Sequence, residues 1–149
     1  MQSQSDLKMK GSLELVIKRA NGEIEIRRKD NIIVNVGFDF IADAIGKEVG
    51  RPAAMSHIAI GSGTTAPDAT QTALVSEITR LAATYAHTAG TKTFSFQATF
   101  GAGVGTGAIT EAGVLNASTG GILFDRVTFA VVNKGADDTM TATFTFTMS

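Results

Sequence analysis

The chain has 149 residues, of which 44% are hydrophobic, and a formal net charge of -1. This composition indicates a globular domain with a sizeable core and excludes an intrinsically disordered chain. The balanced charge provides no general attraction to nucleic acid or to an anionic membrane, and we expect neither as a partner. Cysteine is absent, which excludes disulfides and cysteine–metal sites.

The charged residues are unevenly distributed. Seventeen of the 27 Asp, Glu, Lys and Arg residues lie within residues 1–51, and the other 98 residues hold ten. Two interpretations remain open for the charge-poor part. Either Thr, Ser and Gly solvate its surface, or copies of the chain or a larger assembly cover it, since the cores of interfaces are depleted in charge.

The N-terminal residues 1–10 are polar and predict a flexible arm ahead of a single β-domain at residues 11–149. A polar segment of this kind cannot bury enough apolar surface to fold alone. Lys8 and Lys10 are candidate contacts to an acidic protein partner.

Alternation of apolar and polar residues predicts two strands, around 13–18 and 23–27, which the turn Asn21-Gly22 joins as a hairpin. Residues 32–36 form either a further strand or a continuation past a bend at 29–31. The basic cluster Arg27, Arg28 and Lys29 lies at the end of the second strand. It is either a solvated turn or a docking point for an acidic protein surface.

Apolar residues then recur at helical spacing, at Phe38, Ile41, Ala42 and Ile45, and Gly46 follows where a helix would end. One short helix near residues 37–46 is therefore predicted. The later segments with strand composition are separated by glycine-rich or polar turns, and we predict strands at 56–60, 78–87, 92–100, 108–116, 122–131 and 139–148.

The final predicted strand has the clearest pattern. Thr occupies every odd position from 139 to 147, and Met, Ala or Phe occupies every even position from 140 to 148. Successive side chains of a strand point to opposite faces, so the apolar set faces a core and the hydroxyl set faces outward. The predicted fold class is all-β, an antiparallel β-sandwich that is jelly-roll-like, with the one short helix.

Two glycine-rich segments are candidates for cofactor or partner binding. Residues 61–66 match the loose dinucleotide fingerprint, but Pro67 follows and the helix that the fingerprint requires is missing, so no cofactor is expected. Glycines alternate in the segment 101–107 without matching a phosphate-binding spacing. That segment is either a mobile hairpin loop or a loop that orders against a partner, and its candidate partner-binding residues are Gly101, Gly103, Gly105 and Gly107.

Catalytic and metal-binding motifs are not evident. His57 and His87 are the only histidines, and with Glu111 or Asp125 they could supply the three ligands of a catalytic zinc. Nothing in their spacing favours that arrangement. The motif G-x-S-x-G of hydrolases does not occur, and we predict neither a catalytic residue nor a metal site.

Several segments together resemble a family of tailed-bacteriophage virion proteins, over residues 10 to 149. The resemblance lies in the segments 55–67, 72–74, 77–80, 98–100, 109–116 and 123–129 and in the Thr-rich final strand. These segments are strands and turns, so the family provides no catalytic residues to assign to this chain.

The resemblance implies a non-enzymatic capsid cement or decoration protein that stabilises an icosahedral head by bridging capsid subunits. Such a protein is made in the host cytoplasm and lies on the outer surface of the virion capsid. The expected partners are the major capsid protein and further copies of the chain, as a dimer or trimer. One alternative is a structural module of a tail fibre, collar or baseplate. The other is a carbohydrate-binding or carbohydrate-processing β-domain, although a single Tyr and no Trp provide little aromatic surface for sugars.

Overall fold

The computed structural model describes residues 7–149, which form nine strands and one helix. The strands pair antiparallel in a single sheet of order β4-β3-β7-β8-β2-β1-β9-β6-β5. Their bounds are β1 Met9–Lys18, β2 Ile24–Ile33, β3 His57–Gly61, β4 Glu77–Ala82, β5 Thr84–His87, β6 Thr93–Phe100, β7 Gly107–Leu115, β8 Asp125–Lys134 and β9 Thr139–Met148, and the helix α1 is Asn35–Gly46. The predicted all-β antiparallel class with one short helix is confirmed.

The sheet curls until its two edge strands, β4 and β5, become consecutive parts of one stretch of chain. Between them lies Ala83, whose N–H donates to the carbonyl of Ser56 (2.8 Å). The strand predicted at 78–87 is therefore two strands, because the chain leaves β3 as a partner and joins β6 at the opposite edge. The molecule is a nearly closed, barrel-like sandwich. A jelly roll instead divides eight strands between two sheets.

The core lies on the inner side of this curled sheet. In β9 the side chains of Met140, Ala142, Phe144 and Phe146 are fully buried, and the intervening threonines point outward. Buried residues of β1, β3, β6, β7 and β8 pack in the same cluster. The alternation predicted for residues 139–148 is thus confirmed, with the same strand bounds.

The hairpin of β1 and β2 forms where the Asn21-Gly22 turn predicts it. Gly22 has a φ of 90°, a left-handed conformation that glycine adopts without steric cost, and the side chain of Asn21 accepts the N–H of Glu23 (2.9 Å). For residues 32–36 the sequence left open a separate strand or a continuation of the second strand past a bend. The continuation is closer to the observed structure, because β2 runs through the expected bend to Ile33.

The helix α1 begins at Asn35, two residues before the predicted start, and ends at Gly46 as predicted. Phe40 and Ile41 pack against the core, whereas Ile45 is 79% exposed. With twelve residues, α1 is too short to span a bilayer.

The boundary predicted for the N-terminal arm is wrong. Met9 and Lys10 are the first residues of β1 and pair with β9, and Lys8 exchanges two backbone hydrogen bonds with Ser149 (2.8 and 2.9 Å). The ladder satisfies the backbone polar groups of these residues whatever the polarity of their side chains. Residues 1–6 of the predicted arm lie outside the described residues.

Candidate functional site

A buried ion pair joins β7 and β8 beneath the loop 62–76. Nε of Arg126 lies 3.0 Å from Oε1 of Glu111, and both side chains have no exposed surface. Two buried charges are tolerated only where hydrogen bonds replace the water that they lose. The surroundings of this pair are therefore a candidate functional site.

The carboxylate of Glu111 accepts hydrogen bonds from both ends of the loop 62–76. The backbone N–H groups of Gly63 (2.6 Å), Val75 (2.8 Å) and Ser76 (2.7 Å) all donate to it. Burial raises the pKa of Glu111, but these three bonds and the Arg126 guanidinium outweigh it, and the net pKa lies below its usual value of 4.5. The carboxylate is ionised at neutral pH and is already saturated with donors.

The guanidinium of Arg126 holds the middle of the same loop. Its Nη1 donates to the carbonyl of Thr65 (2.8 Å) and to Oε1 of Gln71 (3.0 Å). At the base of the loop, the N–H of Ser62 donates to the carbonyl of Ser76 (2.9 Å). The ends of the loop are thus joined and its interior is filled, as in an Ω-loop.

Segments that are distant in the chain meet at this ion pair. Glu111 lies in the segment 109–116 and Arg126 in 123–129, and the loop contains residues 62–67 and 72–74. A side chain at Gly63 would collide with the carboxylate of Glu111. The glycines that match a dinucleotide fingerprint are therefore explained by the close approach of Glu111.

Asp125 is a second buried acid in the same region. One carboxylate oxygen accepts the N–H of Val114 (3.0 Å), and the other has no hydrogen-bond partner among residues 7–149. Burial raises the pKa of Asp125 well above its usual value, and the single backbone bond offsets this only in part.

The residues considered for zinc do not come together. Nδ1 of His57 lies 2.7 Å from the Ser56 hydroxyl, and Nδ1 of His87 lies 2.8 Å from the carbonyl of Thr93. Within the described part of the chain, no group of three or more His, Asp and Glu residues is placed to hold a metal ion.

The predicted basic cluster lies inside β2 and not at a strand end, because β2 continues to Ile33. Its side chains point to opposite sides of the sheet. Arg27 pairs with Glu25 (2.6 Å) on the inner side, and Arg28 pairs with Glu14 (2.9 Å) on the outer side. Only Lys29 of the three is outside these ion pairs, so the cluster presents much less net charge than its sequence suggests.

The glycine segment 101–107 connects β6 to β7 and is fixed by contacts within the chain. The carbonyl of Gly101 accepts Nζ of the buried Lys134 (2.9 Å), and the N–H of Gly103 donates to the carbonyl of Ala136 (2.7 Å). Gly105 has a φ of 68° and is buried where a side chain would meet Ile60. The segment is therefore held in place by contacts to the end of β8 and to the turn between β8 and β9.

The outer side of β1, β9 and β6 is a broad surface of short polar side chains, which we name the hydroxyl face. The hydroxyl oxygens of Thr99 and Thr141 lie 3.0 Å apart, and Nε2 of Gln97 donates to the hydroxyl oxygen of Thr143 (3.0 Å). Hydrogen bonds between side chains therefore link β6 and β9 across this face. Registered cross-strand pairs form the hydroxyl face, with Thr93, Ser95, Gln97 and Thr99 on β6, Thr141, Thr143, Thr145 and Thr147 on β9, and Lys10, Ser12 and Glu14 on β1.

An apolar groove of about 610 Å³ lies between α1 and the β5–β6 hairpin. Of its lining residues, Tyr85 and His87 of β5 are those with polar side chains. Its lining is Met9, Phe40, Ile41, Ala44, Ile45, Ala54, Met55, Tyr85, His87, Phe94, Phe96, Phe124 and Met148. Sequence reasoning missed this groove because helical spacing assigns Ile41 and Ile45 alike to a core. All four residues of β5 are exposed, and their residue types do not indicate that the strand forms the wall of a groove.

Comparison of the chain with models of protein families, with curated proteins and with solved structures finds no match. Two accessible surfaces are the functional candidates of this chain, the hydroxyl face and the apolar groove. The buried ion pair of Glu111 and Arg126 beneath the loop 62–76 stabilises the fold that supports both surfaces.

Proposed function

We propose that this protein is a non-enzymatic structural protein of a tailed-phage virion, a cement or decoration protein that reinforces the capsid. The hydroxyl face is the observation on which this proposal depends. It spans β6, β9 and β1 and consists mainly of short polar side chains, with Lys10 and Glu14 of β1 as its charged residues. Its short side chains have little rotamer freedom to lose when another surface covers them.

Each copy would use two surfaces. The hydroxyl face pairs copies with one another as a dimer or trimer, and a separate surface contacts the major capsid protein. Many weak contacts on a shell then add through effective concentration, because each bound copy holds its neighbours in place. The hydrogen-bonded frame around Glu111 and Arg126 supports this role, because a protein that bridges capsid subunits stabilises them only while it stays folded itself.

The copy number of the protein on purified virions tests the proposal. Quantitative mass spectrometry of particles should find the chain in an amount comparable with that of the major capsid protein. A small fraction of that amount, which separates with the tails when particles are disrupted, would instead identify a tail-fibre, collar or baseplate module. Absence of the chain from virions would overturn the proposal.

A matched pair of variants tests the hydroxyl face. Thr143→Glu places a second acid directly opposite Glu14 at the centre of the face, and Thr119→Glu places the same charge on an exposed loop residue outside it. We expect Thr143→Glu to reduce self-association and particle occupancy and Thr119→Glu to leave both unchanged, since like charges repel where two faces meet. Equal effects of the two substitutions would contradict the assignment of this face.

A further inference from the structure

The strand β5 is an open edge of the sheet. It is the last strand in the sheet order, it pairs only with β6 among residues 7–149, and all four of its residues are exposed. An edge strand presents unpaired backbone N–H and C=O groups to which another extended chain can add. Natural proteins often place Lys or Pro on such an edge, and β5 contains neither of them and no acid.

The side chains of β5 belong to two different surfaces. Tyr85 and His87 line the apolar groove. Thr84 and Ala86 point to the opposite side of the sheet, where the register aligns them with residues of the hydroxyl face on β6. A strand added to β5 therefore directs every second side chain toward the groove, near the exposed Ile45, and its other side chains continue the polar side of the sheet.

The charges beside the apolar groove balance one another. The cations are Lys47, Arg51 and Lys92, and the acids are Asp39, Asp43 and Glu48. These residues lie on α1, just after it, or just before β6, which are elements that border the groove. A neutral border attracts neither an acidic nor a basic partner, and it complements a surface of the same neutral composition.

The strand β5 itself has the composition that this site accepts. Residues that are directly opposite in an antiparallel pair point to the same side of the sheet. If two copies of β5 pair about a twofold axis at Ala86, Tyr85 of each copy lies opposite His87 of the other. Thr84 then lies opposite Thr88 of the second copy. Aromatic pairs fill the groove side, hydroxyl groups meet on the polar side, and no like charges oppose each other.

The backbone favours Ala86 over Tyr85 as the position of the axis. An axis at Tyr85 would pair His87 with Ala83, whose N–H already donates to the carbonyl of Ser56 (2.8 Å). The ring of His87 is also held in place before any pairing, because its Nδ1 lies 2.8 Å from the carbonyl of Thr93. A ring that is already ordered loses little freedom when a second copy covers it.

We propose that β5 pairs antiparallel with β5 of a second copy, about a twofold axis at Ala86, and that the paired strands cover the apolar groove of each copy. The contact is isologous, because both copies present the same surface. It uses none of the residues of the hydroxyl face, and the inference does not rest on the proposed function. A copy that uses both surfaces contacts two neighbours.

Analytical ultracentrifugation of the full chain tests the inference without particles. The Thr143→Glu variant serves as the background, because that substitution weakens the hydroxyl-face contact and leaves β5 intact. We expect this variant to be in a monomer–dimer equilibrium. Hydrogen exchange of the amides of residues 84–87 should slow at the concentrations at which the dimer forms, because free-edge groups become paired.

Opposite charges at the axis provide the sharpest variants. Ala86→Lys and Ala86→Glu each place like charges opposite one another in a dimer of identical copies, and each should weaken dimerisation about tenfold or more. An equal mixture of the two variants should associate again, because the two copies then carry opposite charges at the axis. Ala66→Lys makes a matched change at an exposed loop residue and should leave the dimer unchanged.

A second pair of variants tests whether the dimer covers the groove. Ile45→Glu puts a charge into the groove, whereas Val49→Glu makes the same kind of change outside its lining; the two side chains are 79% and 84% exposed. We expect Ile45→Glu to weaken the dimer and Val49→Glu to retain it. Circular dichroism should show that both variants are as stable as the background protein.

Several results would overturn the inference. They are a folded Thr143→Glu variant that stays monomeric at every concentration, equal dimerisation of the Ala86→Lys and Ala66→Lys variants, or a mixture of the two Ala86 variants that does not associate. Monomers that bind phosphatidylglycerol vesicles through Ile45 would assign the groove to a membrane instead. None of these results bears on the presence of the chain in virions, whereas virions that lack it would refute the proposed function and leave a β5 dimer in solution intact.

Discussion

Replacement of Phe146 by Ala tests the packing at the centre of the fold. Phe146 is fully buried in β9. Its ring centroid lies 4.9 Å from that of Phe124 in an edge contact and 5.2 Å from that of Phe94 in a stacked contact. The substitution leaves a cavity where β9, β6 and the segment before β8 meet.

The loss of stability follows from burial and aromatic contacts. Truncation of a buried Phe to Ala costs about 3–5 kcal/mol, including the cavity that remains. A domain of this size has roughly 5–15 kcal/mol of total stability, so the change removes a large share of it. At about 2–4 °C per kcal/mol, the melting temperature should fall by roughly 6–20 °C.

Thr145→Ala is the control for Phe146→Ala, because Thr145 precedes it on the same strand and belongs to the hydroxyl face. Thermal unfolding followed by circular dichroism should show a change within roughly ±0.5 kcal/mol for this outward-facing position. If Phe146→Ala shifted the midpoint no more than Thr145→Ala, the inward register of β9 and the core built on it would be refuted.

Two further substitutions test the buried charges by their pH dependence. Glu111→Gln leaves Arg126 without its anion and should cost about 3–5 kcal/mol at neutral pH. Since the folded pKa of Glu111 is lowered, its contribution is present above its usual pKa of 4.5 and is lost as pH falls through the folded pKa, so wild type and variant should converge in acid; a constant difference would contradict this. Asp125→Asn should stabilise the protein at neutral pH, because the raised pKa of Asp125 makes folding less favourable as pH rises above its usual 3.8. A gain that did not shrink when urea unfolding was repeated below that pH would contradict the assignment.

The sequence predicts those parts of the fold that local patterns determine. The Thr and Phe alternation gives the bounds of β9, and the Asn21-Gly22 turn gives the first hairpin. Both depend on residues next to one another in the chain, where side-chain period and turn conformation act directly.

Features that depend on distant contacts were not predicted. The strand expected at 122–131 is displaced to Asp125–Lys134. Its apolar start, 122–124, instead packs as a connection in which the carbonyl of Phe124 accepts the N–H of Val34 (3.2 Å). In the sequence alone, the charges of Glu111 and Arg126 suggest exposed positions. Only the fold shows that the two side chains form an ion pair in the interior.

The candidate surfaces illustrate the same limit. The glycines of 101–107 attracted a partner-binding hypothesis, yet Lys134, far along the chain, accounts for their order. The apolar groove forms between α1 and β5, which are separated by 37 residues and two strands. No local pattern connects Ile45 to Tyr85.

The thermal stability of capsids with and without the protein tests the proposed reinforcement of a phage capsid most directly. Heads from a phage that lacks this gene should release their DNA at a lower temperature than wild-type heads. Purified protein added back should restore the wild-type temperature as it saturates the shell. Heads of equal stability with and without bound protein would contradict a reinforcing role.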